Sequence, residues 1–361
     1  MQRLLVVGWL FSGVTALTVL TMPPIFAESP DRLLSAHPIF SLPVDCPMGT
    51  KQPGECTIHK YVDHDPSPGR KDYSCGRLSL DGDTGTDFRT PSFVEMHQGV
   101  AVLAAADGLV RATRDGMVDV SVRKTGVEAV KGREAGNSVV VQHGNGWETQ
   151  YSHLKKGSVQ VKRGDRVKRG DPLGAIGLSG RTEFPHVEFS VRKDGLPIDP
   201  FVGFTPFVQP KGANPRSLPG YECGEPRSPL WSDDALDKLS YQASGVLSIG
   251  MAKELPEINA ARDGGYADKR FSSSSAALVV WADIFGAQAG DLEQFLIAGP
   301  NGEVIHKSET TLEKSNISWF TYFGKRRPPN GWVTGRYQAS YRLSRRDQTV
   351  AERSVLFEVL P

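Results

Sequence analysis

Three short segments of this 361-residue chain contain side chains that could bind a metal ion or transfer protons. Residues 83–87 read Asp-Thr-Gly-Thr-Asp, residues 149–154 read Thr-Gln-Tyr-Ser-His-Leu, and residues 184–189 read Phe-Pro-His-Val-Glu-Phe. Carboxylate oxygens and imidazole nitrogens are common ligands of metal ions in proteins. The same groups act as general acids and bases. These segments are therefore the first candidates for a functional site.

The segments resemble the signature of the M23 (LytM, lysostaphin-type) zinc endopeptidases, which cut peptide cross-links of bacterial cell wall. In that family the first segment is His-x-Gly-x-Asp and the last is His-x-His. The resemblance extends to Ala-Ala-Ala-Asp-Gly at 104–108, His-Gly-Asn-Gly at 143–146 and Ile-Asp-Pro at 198–200. It covers residues 76–202, and it implies an antiparallel β domain.

The resemblance also assigns a role to each candidate residue. Asp87 matches the aspartate ligand of zinc in the family, and His153 and His186 match its two assisting, catalytic histidines. Asp83 and Glu188 stand where the family has its two histidine ligands. The predicted metal set is therefore Asp83, Asp87 and Glu188, with two of the three ligands changed to carboxylates.

This change alters the expected metal chemistry. Imidazole suits zinc, whereas carboxylate oxygens suit harder cations, so an all-carboxylate set favours Ca²⁺, Mg²⁺ or Mn²⁺, with zinc expected if the protein is an active enzyme. If no metal is bound, neighbouring carboxylates raise one another's pKa and at least one takes up a proton. His97 is a weaker candidate for a substitute ligand, because it lies near the predicted rim without motif spacing.

Composition and the N-terminus predict an exported protein. Residues 4–20 are largely apolar, follow Arg3 and precede a small residue, Ala27, so residues 1–27 are interpreted as a signal peptide. The run is short and broken by glycines, which favours cleavage over an uncleaved anchor. We predict a periplasmic or secreted protein without a membrane span after cleavage. The net charge of +1 argues against nucleic acid as the main partner.

The chain has four cysteines, and an exported protein with an even number of cysteines is expected to form disulfides. Four cysteines allow three pairings, and the sequence does not decide between them. The hypothesis adopted here is a local Cys46–Cys56 bridge. A second bridge, Cys75–Cys223, would then tie the start of the central domain to the segment that leaves it.

The pattern of short apolar runs and turns predicts a mainly β protein. Residues 28–75 are a Cys- and Pro-containing lead-in, and the M23-like domain follows at 76–202. In this domain we predict hairpin strands around the Asn-Gly turn at 145–146 and a long hairpin or loop insertion at 113–135. Residues 203–239 are a Pro-rich linker in which Ser232 caps a short helix through Leu239. Alternating strands at 240–361 predict an immunoglobulin-like β-sandwich.

Three functional hypotheses follow. The favoured hypothesis is a catalytically impaired M23-type pseudoenzyme that binds peptidoglycan or regulates a partner cell-wall hydrolase, because two of three zinc-ligand positions hold carboxylates. The first alternative is an active metalloendopeptidase that cuts peptidoglycan cross-links through a carboxylate-rich metal site. The second is a structural exported protein whose acidic cluster binds Ca²⁺.

Overall fold

The computed structural model describes residues 37–50, 55–206 and 228–361, and it is mainly β, as predicted. The predicted signal peptide and Cys223 lie outside the described residues. Pro38–Pro361 form one compact unit. Within the described part of the chain, no helix is both long enough and apolar enough to cross a bilayer.

The first ten strands build the part of the protein that contains the candidate site. They are β1 (Thr57–Lys60), β2 (Thr86–Arg89), β3 (Ala101–Leu103), β4 (Gly108–Arg114), β5 (Asn137–Gly144), β6 (Trp147–Leu154), β7 (Arg166–Val167), β8 (Pro172–Ala175), β9 (His186–Lys193) and β10 (Leu196–Ile198). Among the described residues, β1-β2-β9-β6-β5-β4-β7 form one sheet in that spatial order, β10 pairs with β9, and β3 pairs with β8. The sheet is antiparallel, as the resemblance implied.

The hairpin of β5 and β6 follows from its sequence. Asn145 and Gly146 adopt positive φ angles of 47° and 75°, which this two-residue turn requires. Alternate side chains of β5, such as Val139 and Val141, are fully buried against the core. Their burial fixes the register of β6, because a slip of one residue would move its apolar side chains to the opposite face.

Residues 113–135 agree with the predicted long hairpin or loop insertion, because β4 and β5 pair as antiparallel strands on either side of this segment, but the two short helices within it were not predicted. After β4 ends, the chain forms a short helix α2 (Val122–Thr125) and a 3-10 helix (Val127–Val130). Ser121 caps α2 through its side chain, which accepts a hydrogen bond from the amide of Arg123. The many charged residues and glycines of this segment gave no apolar period from which a helix could be predicted.

Residues beyond 228 form two further sheets around a second core. The elements are α3 (Asp233–Leu236), β11 (Gly245–Ala252), α4 (Ile258–Arg262), β12 (Arg270–Ser272), β13 (Ala277–Ala287), β14 (Leu292–Ala298), β15 (Val304–Thr311), β16 (Asn316–Arg326), β17 (Gly335–Arg345) and β18 (Gln348–Leu360). In the described residues, β11-β13-β16 form one sheet and β12-β18-β17-β14-β15 the other. Ser232 caps α3 as predicted, but α3 ends at Leu236 and not at Leu239.

The predicted lead-in and linker both contribute to the first core. Phe40 and Trp231 are buried there and form a β-bridge, and Phe285 of β13 joins the same cluster. The Cys46–Cys56 bridge is confirmed. Cys75 is also disulfide-bonded. The edge strand β1 begins directly after Cys56, so the lead-in contributes a strand to the larger sheet although its sequence showed little periodicity.

Candidate functional site

The three predicted metal ligands lie around one point of the larger sheet. Asp87 on β2 and Glu188 on β9 are register partners, so their side chains project from the same face. Asp83 lies in the turn before β2, where its Oδ1 atom accepts a hydrogen bond of 3.2 Å from the amide of Gly85. Gly85 is close to the site, because a Cβ atom built on it would lie 2.5 Å from Cγ of Glu188. The two motifs are thus brought together by the pairing of β2 with β9.

A lysine side chain from the edge strand enters this acidic cluster. Lys60 of β1 is paired with Asp87, and a bulge between Ile58 and Lys60 shifts the register there. The Nζ atom of Lys60 lies 2.5 Å from Oδ2 of Asp87 and 3.5 Å from Oδ2 of Asp83. The lysine side chain is 16% exposed, and that of Asp87 is 1% exposed. An ammonium group therefore contacts two of the three residues that the sequence assigned to a metal.

His186 lies against the same aspartate. Its Nε2 atom is 3.4 Å from Oδ2 of Asp87, and its Nδ1 atom donates to the carbonyl of Phe184 at 2.9 Å. Burial holds the pKa of His186 well below its ordinary value, and the positive charges of His153 and Lys60 act in the same direction. The neutral form of His186 is therefore favoured, and because the carbonyl of Phe184 can only accept, Nδ1 carries a proton.

His153 forms a separate pair with the remaining carboxylate. Its Nε2 atom is 3.3 Å from Oε2 of Glu188, and its Nδ1 atom donates to the carbonyl of Ser179 at 2.8 Å. The backbone of His153 has a φ of 64°, which is uncommon for a residue other than glycine. Burial alone would raise the pKa of Glu188, but the hydrogen bond and charge of His153 and the charge of Lys60 hold it below its ordinary value.

A third histidine, His59, also borders the site. It is fully buried, its ring lies 4.5 Å from that of Phe184, and its Nε2 atom is 3.8 Å from Oδ2 of Asp87. Among the described residues, neither ring nitrogen has a hydrogen-bond partner. Burial, followed by the charges of Arg89 and Lys60, holds the pKa of His59 well below its ordinary value. It therefore adds no positive charge to the cluster.

The carboxylates are not all fully charged at neutral pH. Burial raises the pKa of Asp83 to about 7; Lys60 opposes this rise, and Asp87 and Glu188 add to it. Burial also raises the pKa of Asp87, although Lys60 lowers it in part. The expectation that crowded carboxylates take up a proton is consistent with these directions.

These residues do not fit a zinc ion. A zinc ligand must direct a lone pair at the metal from about 2.0–2.2 Å, and a catalytic site needs three such ligands around one open position. Here the oxygen of Asp87 faces an ammonium group, which can only donate. Within the described ranges, no group of three or more His, Cys, Asp or Glu side chains is arranged to hold a metal ion. His97 is exposed in the last turn of helix α1 (Phe93–Gln98) and is not part of the cluster.

A residue next to the site also contacts the C-terminal region. Arg89, two residues after Asp87, has its Cζ atom 4.2 Å from the ring centroid of Phe184 and its Nη2 atom 3.5 Å from Oδ2 of Asp283 on β13. The two predicted catalytic histidines are only 5% and 3% exposed. Glu188 retains the largest opening to solvent, with 24% of its side chain exposed.

The sequence model of Peptidase family M23 matches residues 95–200. Residues 95–200 therefore form an M23-family domain. The active peptidases of this family are zinc metalloenzymes. The match begins after Asp87, so the assignment of the first motif still depends on the resemblance and on the geometry above.

Two curated relatives illustrate the similarity to known proteins. The DD-carboxypeptidase/endopeptidase Mpg of Neisseria meningitidis is 33% identical over 105 residues, which are 29% of this chain and 22% of that protein. The peptidoglycan DD-endopeptidase ShyA of Vibrio cholerae is 35% identical over 115 residues, 32% of this chain and 21% of that protein. The similarity thus spans about a fifth of the length of these relatives.

Among solved structures, a zinc-containing peptidase from Vibrio cholerae aligns with 44% of this chain and 41% of its own, with 27% identity and a TM-score of 0.26. That score is too low to support conclusions about the site.

Sequence reasoning missed Lys60, His59 and Arg89. None of the three belongs to a motif. The available signal was indirect: three carboxylates predicted at one place call for a compensating cation, and Lys60 stands in a short β-prone run, Thr57 to Val62.

Proposed function

We propose that this chain is an exported protein of the bacterial cell envelope whose M23 domain binds peptidoglycan without cutting it, or regulates a partner cell-wall hydrolase by contact. The observation that supports this most directly is the 2.5 Å contact between Nζ of Lys60 and Oδ2 of Asp87. A carboxylate that is neutralised by an ammonium group is not available to hold the metal on which hydrolysis by this family depends.

The similarity to Mpg and ShyA supports peptidoglycan as the target. Both relatives are named as endopeptidases, and ShyA as one that acts on peptidoglycan. Their similarity covers only about a third of this chain, so the target class is proposed from that part alone.

A polar strip on the sheet supports binding without catalysis. Gln150, Ser190 and Arg192 continue the face of Glu188 along β6 and β9, since Gln150 is the register partner of Ser190 and Ser190 lies two residues from Glu188. The Nη1 atom of Arg192 donates to Oε1 of Gln150 at 3.1 Å. The amide of Gln150 and the guanidinium of Arg192 are partly exposed and can bind the amides and carboxylates of a stem peptide. Ser190 is buried and donates to Oε1 of Glu188 at 3.3 Å.

The test uses purified mature protein and isolated sacculi. We expect the protein to sediment with the sacculi, to release no soluble cross-link peptides, and to contain no stoichiometric metal by elemental analysis. An active M23 endopeptidase serves as the positive control for release. Release of cross-link peptides that disappears in Asp87→Ala and His153→Ala would establish the active-enzyme alternative instead. A thermal shift with Ca²⁺ in a protein that does not bind sacculi would favour the structural alternative.

The polar strip gives the binding assay a matched pair of variants. Arg192→Glu reverses a charge on the strip and should reduce co-sedimentation. Arg270→Glu reverses the charge of an exposed arginine in the C-terminal region, 72% exposed at its side chain, and should leave co-sedimentation unchanged. Equal binding by both variants would place the wall-binding surface elsewhere.

A further inference from the structure

We infer that the ammonium group of Lys60 occupies the position of the metal ion in this M23 domain and keeps divalent cations out of it. The inference concerns the same site as the proposed function and deepens it. It depends on the position of one side chain among the predicted ligands, and it goes beyond the proposed function by stating that Lys60 prevents metal binding even when the family's ligands are restored.

The first argument is the match between the cation and its surroundings. An ammonium group has three donors and no acceptor, so it requires oxygen or other acceptors around it. Lys60 reaches Asp87 at 2.5 Å and Asp83 at 3.5 Å, and Glu188 is the register partner of Asp87. The carboxylates of Asp83 and Asp87 are therefore the acceptors that a lysine in this position needs, and Glu188, paired with His153, adds a further negative charge nearby.

The second argument is that the nearby basic groups do not compete for this position. The Nε2 atoms of His59 and His186 lie 3.8 Å and 3.4 Å from Oδ2 of Asp87, farther away than Nζ of Lys60 at 2.5 Å. Arg89 is directed away, toward Asp283 and the ring of Phe184. The positive charge closest to Asp87 is thus the one that Lys60 supplies.

The third argument is steric and electrostatic. Zinc would need to lie about 2.0–2.2 Å from a carboxylate oxygen of Asp87. The ammonium group already lies 2.5 Å from Oδ2 of that residue, and two cations on one small cluster repel each other strongly in a buried site. A metal can enter only if Lys60 leaves, and its binding must then also replace the ion pairs that Lys60 makes with Asp87 and Asp83.

The inference predicts that restoring the family's ligands is not sufficient for metal binding. Four proteins are compared by calorimetric titration with zinc and by elemental analysis: the wild type, Asp83→His/Glu188→His, Lys60→Met, and the triple variant with all three changes. We expect the triple variant to bind zinc at least about tenfold more tightly than the double variant, which corresponds to about 1.4 kcal/mol. As a matched control, Lys193→Met combined with Asp83→His and Glu188→His should bind zinc no better than the double variant.

Two results would overturn the inference. One is a double variant that binds zinc as tightly as the triple variant, because Lys60 would then be no obstacle. The other is a folded triple variant that binds no zinc, because the position would then not be a metal position. Neither result depends on whether the wild type binds sacculi, so the two proposals can fail separately.

A measurement on the wild type covers the case in which the variants do not fold. The native protein is treated with an amine-acylating reagent, and modification of each lysine is followed by mass spectrometry. Lys60, 16% exposed and in contact with two carboxylates, should be modified far more slowly than exposed Lys168. Equal modification of the two in the folded protein would show that Lys60 does not occupy the cluster.

Discussion

Oδ2 of Asp283, on β13 of the C-terminal region, lies 3.5 Å from Nη2 of Arg89, two residues along β2 from Asp87. Asp283 also accepts two hydrogen bonds from Arg262, at 2.7 Å and 2.9 Å. Burial lowers the pKa of Arg89 to about 10; Asp283 opposes this effect and Arg262 adds to it. One buried carboxylate thus joins the strand that carries Asp87 to the C-terminal sheets.

This relationship predicts that Asp283→Asn greatly lowers the free energy of unfolding. Two buried guanidinium groups would lose their common counter-charge, and breaking a buried ion pair in this way destabilises a protein by roughly 3–5 kcal/mol. The free energy of unfolding is measured by denaturant titration. Glu352→Gln, which breaks the exposed pair with Arg342, is the control and should cost about 0–1 kcal/mol. Equal costs would show that Asp283 is not the link described above.

A double-mutant cycle tests the contact between Lys60 and Asp87. Lys60→Met and Asp87→Asn should each destabilise the protein, because each leaves a partly or fully buried charge without its partner. The double variant should lose less than the sum of the single losses, with an interaction energy of roughly 0.5–3 kcal/mol. Additive losses in denaturant titrations would mean that the two side chains do not interact.

The Cys46–Cys56 bridge should stabilise the lead-in that carries Lys60. The cysteines are 10 residues apart in sequence, and closing a loop of that size contributes about 2–3 kcal/mol. Cys46→Ser/Cys56→Ser should lower the unfolding free energy by this amount. Since Cys56 directly precedes β1, the double substitution should also increase the rate at which Lys60 is acylated. Unchanged acylation would show that β1 keeps its place without the bridge.

Glu293 should make stability depend on pH. Burial raises its pKa, although Trp319, Thr321 and Tyr341 donate hydrogen bonds to it and oppose the rise. A raised pKa in the folded state means that folding favours the protonated form of Glu293. The stability gained from this protonation is complete below the unfolded pKa of about 4.5 and is lost as pH rises through the folded pKa.

Glu293→Gln removes that titration. The variant should lose less stability than the wild type between pH 4 and pH 7, measured by denaturant titration at several pH values. Asp347→Asn, at an exposed turn position, is the control and should follow the wild type. Parallel curves for the wild type and Glu293→Gln would contradict the prediction.

Local sequence was sufficient to predict part of the larger sheet. The Asn145-Gly146 turn and the alternating residues beside it predicted the β5–β6 hairpin, because both signals act between neighbouring residues. The motif residues Asp87 and Glu188 were expected to meet only through the resemblance, and their register pairing agrees with it. The roles assigned to them remain predictions.

The same reasoning could not find Lys60. Its strand has four residues in a segment without periodicity, and its partner, Asp87, lies 27 positions later in the chain. Only the pairing of β1 with β2, with a bulge between Ile58 and Lys60, directs the side chain into the cluster. Arg89 was missed for a similar reason, because Asp283 belongs to a distant strand and no short-range pattern links the two.

If Lys60 occupies the metal position, as we infer, residues 60, 83 and 188 depend on one another. A lysine beside two histidines and a zinc ion would place two positive charges close together, and they would repel each other. Carboxylates at these positions without the lysine would place negative charges close together, and these would also repel each other. A homologue with histidine at both ligand positions should therefore carry an uncharged residue at position 60. In aligned relatives, the identity of this upstream edge-strand residue should separate zinc-binding members from metal-free ones even where their central motifs look alike.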